Sequence, residues 1–308
     1  MRQAAIAIAL LLAAGSAAAQ DAEAPFVVEE TGEAFDQLQA AVDAIGDGDG
    51  TIAIAPGRYR QCAVQDAGRI AYVARRPGTA ILDGRVCEGK AALVLRGRAA
   101  SVSGLIFQNI AVRDGNGAGI RLQQGDLHVV ETLFRDSQSG ILSHDDPSAT
   151  IRIEQSTFSG LGYCGNDCAH SIYIGDYGRV IVNRSRFERG TGGHYVKSRS
   201  ARTDVADSSF DDSGGRATNY MIDLPSGGTG LIAGNMFVQG REKENYSAMI
   251  VVAAEGARHR SAGLSLRGNR AALAPGARPT TFVVDFSGEP LAIEDNQLDG
   301  DIARFERR

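Results

Sequence analysis

Lys197 and Arg199 stand two residues apart in the segment GHYVKSRS, which places both side chains on one face of an extended strand. A fixed guanidinium beside an amine suits one reaction in particular, removal of the proton next to a carboxylate. The arginine neutralises the acid, and the amine accepts the proton once neighbouring cations or burial lower its pKa. Tyr173 and His194 are candidates to return a proton to the leaving oxygen, and His194 has a second reading as an inward hydrogen-bonding residue. His144, Tyr195 and Asp223 are candidate substrate contacts, the tyrosines offering the flat apolar faces on which sugars stack. Lys197 with Asp223 also reads as a surface ion pair with no reaction attached.

Other chemistries compete for the same residues. Asp176 and Asp223 form a candidate calcium pair, although two separated acids are fewer than calcium sites use. Asp145, Asp146, Asp176 and Asp223 could supply the two carboxyl groups of a glycoside hydrolase. Ser143, His144 and Asp145 cannot converge as a triad, because adjacent strand residues alternate between faces. Arg184, Arg186, Arg189, Lys197, Arg199 and Arg202 fall within nineteen residues that contain Glu188 and no other acid. They form either a basic patch for an acidic polysaccharide or a set of arginines on different sides of the chain.

The elements that must position these groups are visible as a repeat. Phe107, Phe134, Phe158, Phe187, Phe210 and Phe237 recur every 23 to 29 residues, with Ala271 and Leu298 as degenerate members. Two residues before the later anchors stand Thr132, Ser156, Ser185, Ser208, Asn235, Asn269 and Asn296, suited to a recurring turn whose side chains bond to backbone groups. The period fits a solenoid coil of three short strands. The Leu-x-x-Leu-x-Leu frame of a leucine-rich repeat is absent, and coils this short leave little space for the antiparallel hairpins of a sandwich or propeller. Before the repeat, Phe35, Leu38, Val42 and Ile45 predict a short helix.

Residues 1–19 read as a secretory signal, with Arg2, an apolar run from Ala4 to Ala14 and a small-residue end before Gln20. No segment is long enough for a membrane span. The remaining 20–308 are expected to form one domain, periplasmic or secreted. Cys62 with Cys87 and Cys164 with Cys168 predict two disulfides; zinc at Cys164, Cys168 and His170 is the weaker reading because no second pair completes it. A net charge of −5 argues against general nucleic-acid binding.

The opening FDQLQAAVDAIGDGDGTIAIAPGRYR and the phenylalanine-marked coils resemble the pectate-lyase-like superfamily of right-handed parallel β-helices. HSIYIGD, GHYVKSRS and NYMIDLPSGG are similar to a bacterial group of secreted β-helix proteins, a likeness that supplies architecture and not chemistry. The resemblance implies an all-β solenoid capped by the N-terminal helix. The tight aspartate cluster that a likeness to polygalacturonases would bring is missing from the aligned coils.

Stacking those three segments puts Ile172, His194 and Tyr220 in one inward row and Ile174, Val196 and Ile222 in another. Tyr173, Tyr195 and Met221 then face outward, followed by Gly175, Lys197 and Asp223, with His144 extending the latter row and Gly175 forming a depression. The expected function is β-eliminative cleavage of an acidic, uronate-containing polysaccharide by a monomer, calcium being an open cofactor question. The alternatives are a non-catalytic glycan-binding envelope protein and a β-helix glycoside hydrolase.

Overall fold

A computed structural model describes residues 24–165 and 168–308. The predicted signal segment and its cleavage point lie outside the described residues. The chain forms a parallel β-solenoid of about nine turns, with one short helix near its start. Its strands stack into a first sheet of twelve and a second and third of ten each. Each coil supplies one short strand to each sheet, so equivalent residues of successive coils become lateral neighbours. One apolar cluster runs along the interior from Phe26 to Ile302.

The second sheet carries the phenylalanine anchors in register, Phe107 beside Phe134, Phe158, Phe187, Phe210 and Phe237. Their rings stack inside the solenoid at centroid separations of 4.8–4.9 Å, and Phe282 closes the stack edge-on at 5.8 Å. Two glycines make room for them, since a Cβ at Gly119 or Gly140 would sit 2.7–2.8 Å from the ring of Phe134 or Phe158.

The predicted polar turn forms a second ladder beside this one. Each backbone N–H donates to the side-chain oxygen of the next coil: Thr132 to Ser156, Ser156 to Ser185, Ser185 to Ser208, Ser208 to Asn235, Asn235 to Asn269 and Asn269 to Asn296, at 2.9–3.2 Å. A residue in the left-handed conformation precedes each turn, among them Glu131, Gln155, Arg184 and Asp207. The ladder satisfies amides that the corner between two sheets would otherwise bury unpaired.

Helix α1 (Leu38–Ile45) buries Leu38, Ala41 and Val42 over the first coil. At the other end, strand Ile302–Arg307 pairs along Thr280–Asp285 and exposes Arg304, Glu306 and Arg307, charges that discourage edge-to-edge pairing. Both predicted disulfides are present, Cys62 with Cys87 and Cys164 with Cys168. The cysteines proposed for zinc are therefore bonded to each other.

Candidate functional site

The third sheet differs from the others on its outer face. Its strand register sets Val64, Val94, Arg121, Leu142, Tyr173, Lys197, Asp223, Val251 and Val284 in one outward row. Valines flank the middle of the row on both sides before it ends at the exposed Glu306, and the middle carries charge and an aromatic ring. Arg121, Leu142, Tyr173 and Lys197 of that middle stretch floor a cleft of about 980 Å³. One wall holds His170, His194 and Asn219, the other Gln123, His144 and Asp145.

The expected pairing of Lys197 with Asp223 is present, Nζ standing 3.5 Å from Oδ2. The strand before it is shifted by two residues from the expected alignment. Tyr173, not Gly175, lies beside Lys197, while His144 and Gly175 share the row of Arg199. The shift preserves parity, so Tyr173, Lys197 and Asp223 still face outward. Gly175 lines the cleft, with the Asp145 carboxylate packed against it: a Cβ there would meet that carboxylate at 2.4 Å, and the carboxylate accepts the N–H of Asp176.

Three expectations about facing are corrected. Tyr195, expected in the outer strip, is 1% exposed. It lies just before strand Val196–Ser198, at a sheet corner where Tyr195 and Val196 both turn inward and strict alternation fails. Its ring packs edge-on against Phe187 and Phe210, and its hydroxyl donates to Asp212 at 2.6 Å. Asp212 is also held by the fully buried Lys243 at 3.0 Å and by the Thr218 hydroxyl, a structural network beneath the cleft. Met221 turns inward at the same corner. His194, expected in an inward row with Ile172, instead lines the cleft in a ring stack between His170 and Tyr220.

The histidine stack has fixed tautomers. The N–H of His194 donates to Nδ1 of His170 at 2.9 Å, and the N–H of Tyr220 donates to Nδ1 of His194 at 3.1 Å. Each ring therefore carries its proton on Nε2. Burial holds both rings neutral, pushing His170 down to about 3 and His194 well below the usual histidine range. His194 presents Nε2 to Oδ2 of Asp223 at 3.4 Å. Burial raises Asp223 to about 6 against the opposing pull of Lys197, and its Oδ1 has no partner among the described residues.

The cations of the cleft fall into two groups. Lys197 donates to Glu255 Oε1 at 2.7 Å, and Arg199 also binds the Glu255 carboxylate. Both cations sit over the Tyr173 ring, 5.6 and 5.7 Å from its centroid, and Arg199 Nε donates to the Tyr173 hydroxyl at 2.8 Å. Arg121 is different. Among the described residues it forms no ion pair, Asp114 acting on its charge only at longer range; its Nη2 meets Nε2 of His144 at 3.2 Å, and its Nε is buried without a partner. Burial, and then Arg121 itself, depress the pKa of His144, which keeps that ring neutral.

The remaining candidates do not assemble. Asp176 holds His259 at 2.9 Å and Arg258 at 2.8 Å, so both candidate calcium ligands, Asp176 and Asp223, already face basic side chains. Asp146 caps the Gly125 amide, away from the row. The arginine-rich segment spreads around the coil: Arg186 pairs with Glu188 on the second sheet and Arg202 with Asp204 beside the first.

Sequence reading missed Arg121 and Glu255. Arg121 was accessible, because GIRL at 119–122 aligns on GILS at 140–143 one coil later. Glu255 was not, since it reaches Lys197 across an intervening strand from an irregular loop.

No protein-family model matches the chain, and no curated protein is similar to it in sequence. Similarity exists at the level of structure. A pectin methylesterase from Aspergillus niger superposes with a TM-score of 0.50 at 12% identity, over 86% of this chain and 83% of that one. ORF18 of Geobacillus virus E2 superposes with a TM-score of 0.53 at 11% identity, over 87% of this chain; the match spans only 56% of the viral chain. At such identities the shared property is the fold, and by fold this chain stands among the parallel β-helix proteins.

Proposed function

We propose that the protein binds an acidic polysaccharide in the third-sheet cleft and cleaves it by β-elimination, in a periplasmic or secreted setting. The observation that carries this reading is Arg121, a partly buried guanidinium with no ion pair among the described residues, beside a neutral histidine. A fixed, desolvated cation of this kind is the natural partner of a uronate carboxylate.

In this reading Arg121 turns from His144 to the incoming carboxylate, which stabilises the enolate-like charge that develops there and frees His144 Nε2. His144 takes the proton from C5. The electron pair of that C–H bond becomes the C4–C5 double bond as the C4–oxygen bond breaks, and the Tyr173 hydroxyl protonates the departing oxygen. Arg199, which donates to the Tyr173 oxygen, faces the phenolate left behind. Tyr173 and His144 lie diagonally across neighbouring strands, about 8 Å apart at their Cα atoms, so they can flank one sugar. Lys197 takes a positioning role here, because its ammonium is engaged by Glu255 and Asp223.

Two further facts support the reading. A pectin methylesterase shares the fold, which fits a polysaccharide ligand. Two disulfides fit a chain that folds outside the reducing cytosol.

The test is ultraviolet absorbance of the purified protein incubated with pectic, alginate and glycosaminoglycan polymers, with and without calcium. The proposal expects a rising signal from unsaturated product on at least one polymer. A flat signal with increasing reducing ends would replace elimination by hydrolysis, and silence in both would leave a glycan-binding module.

A further inference from the structure

The geometry points to a second carboxylate subsite at the edge of the cleft, formed by Lys197, Arg199 and Tyr173, which the protein's own Glu255 occupies until an acidic ligand displaces it. This rests on the reading of the cleft as an acidic-glycan site and adds how that site is gated.

Glu255 is held as a ligand carboxylate would be held. One oxygen accepts from Lys197 Nζ at 2.7 Å and the other from Arg199, so two cations on adjacent positions of one strand face clamp both oxygens. The same two cations lie over the Tyr173 ring, leaving a charged rim above a flat aromatic surface. That combination receives a uronic acid as well as it receives a glutamate side chain.

The two acids around Lys197 differ in permanence. Asp223 belongs to strand Ile222–Leu224 and its side chain is 4% exposed. Glu255 sits on the exposed segment following strand Ala248–Val252, and its side chain is 45% exposed. The backbone of that segment is tied to the preceding coil, Glu255 N–H to Pro225 and His259 N–H to Ser226, both at 2.9 Å. Release therefore needs only rotation of the Glu255 side chain. Glu255 is the exposed half of these pairs, the two cations being 10% and 27% exposed, so a ligand carboxylate that replaces it keeps both cations paired and competes for the same contacts. The Arg121 and Lys197 rows stand three strand spacings apart, about 14 Å, so a ligand that engages both cationic groups is an oligomer and not a single sugar.

The experiment is calorimetric titration of polygalacturonate, alginate and hyaluronate into the wild-type protein and into Glu255→Ala and Glu255→Gln, with thermal melts to show that each variant is folded. Removing the internal competitor should tighten binding of the recognised polymer about fivefold, the gain expected when a mostly self-occupied site is freed. Adding Arg199→Ala to Glu255→Gln should abolish that gain. Unchanged or weaker binding by both folded Glu255 variants overturns the inference, as does failure of all three polymers to bind any form. Tightening without any ultraviolet turnover would uphold the subsite and remove the elimination reading. Turnover without tightening would do the reverse.

Discussion

Along the second sheet, Phe107 to Phe237 make the same contact from coil to coil; along the outer face of the third, Arg121, Leu142, Tyr173, Lys197 and Asp223 follow one another with no two alike. Both rows have the same strand spacing and the same parallel register. They differ in whether each rung is satisfied by the next. Each phenylalanine ring stacks on the next, and each interior rung of the polar-turn ladder donates to one neighbour and accepts from another. Among the described residues the outer row leaves Arg121 Nε and Asp223 Oδ1 buried without partners, and burial lowers the pKa of the three histidines that line the cleft beside it. In a solenoid, repetition carries stability, and a row that departs from the repeat is where binding and chemistry can be placed.

This contrast can be broken from either side. The largest effect belongs to the ladder: Phe158→Ala removes a fully buried ring with stacked neighbours on both faces and should cost about 3–5 kcal/mol, read from the denaturant midpoint. Next comes Arg121→Ala, which should weaken acidic-glycan binding and turnover by about 10- to 100-fold, the worth of a charge-assisted pair, while moving the unfolding midpoint little. Equal losses of stability and binding would collapse the distinction between the two regions. Asn235→Ala deprives the Ser208 amide of its acceptor within the turn ladder and should cost about 1–3 kcal/mol in the same unfolding measurement.

Smaller effects sharpen the comparison through pH. His170 and His194 have folded pKa values below the ordinary 6.5, so the stability they confer is complete above that value. It is lost as pH falls towards about 3 for His170. Asp223 acts in the opposite sense. Its folded pKa of about 6 exceeds the ordinary 3.8, so its contribution is present below pH 3.8 and is lost as pH rises through 6. His170→Asn, which preserves an acceptor for the His194 amide, should flatten the acid limb of a stability–pH curve measured by urea titration. The smallest effect is expected at Arg186→Ala on the outer second sheet, whose exposed pair with Glu188 should be worth under about 1 kcal/mol.

The same contrast explains what could be read in advance. The coil period, the capping helix, the turn ladder and both disulfides were legible because each rests on a local pattern repeated or paired in sequence. Tyr173, Lys197 and Asp223 were placed on the correct face because a register error of two residues preserves parity. Aligning His170 with His194 instead of Ile172 with His194 would have removed that error. Tyr195 was misplaced because two consecutive residues turn inward at a sheet corner, a feature of the bend and not of strand alternation. Glu255 could not have been found, since the loop that carries it obeys no period and meets its partners by passing over a coil.

The central claim is that Arg121 receives a polysaccharide carboxylate in the third-sheet cleft. Its most direct test is titration of the acidic polymer that the wild-type protein binds into wild-type and Arg121→Ala proteins at two salt concentrations. The structure predicts at least tenfold weaker binding by the variant and a reduced dependence on salt. Indistinguishable affinities and salt slopes, with both proteins folded, would contradict it.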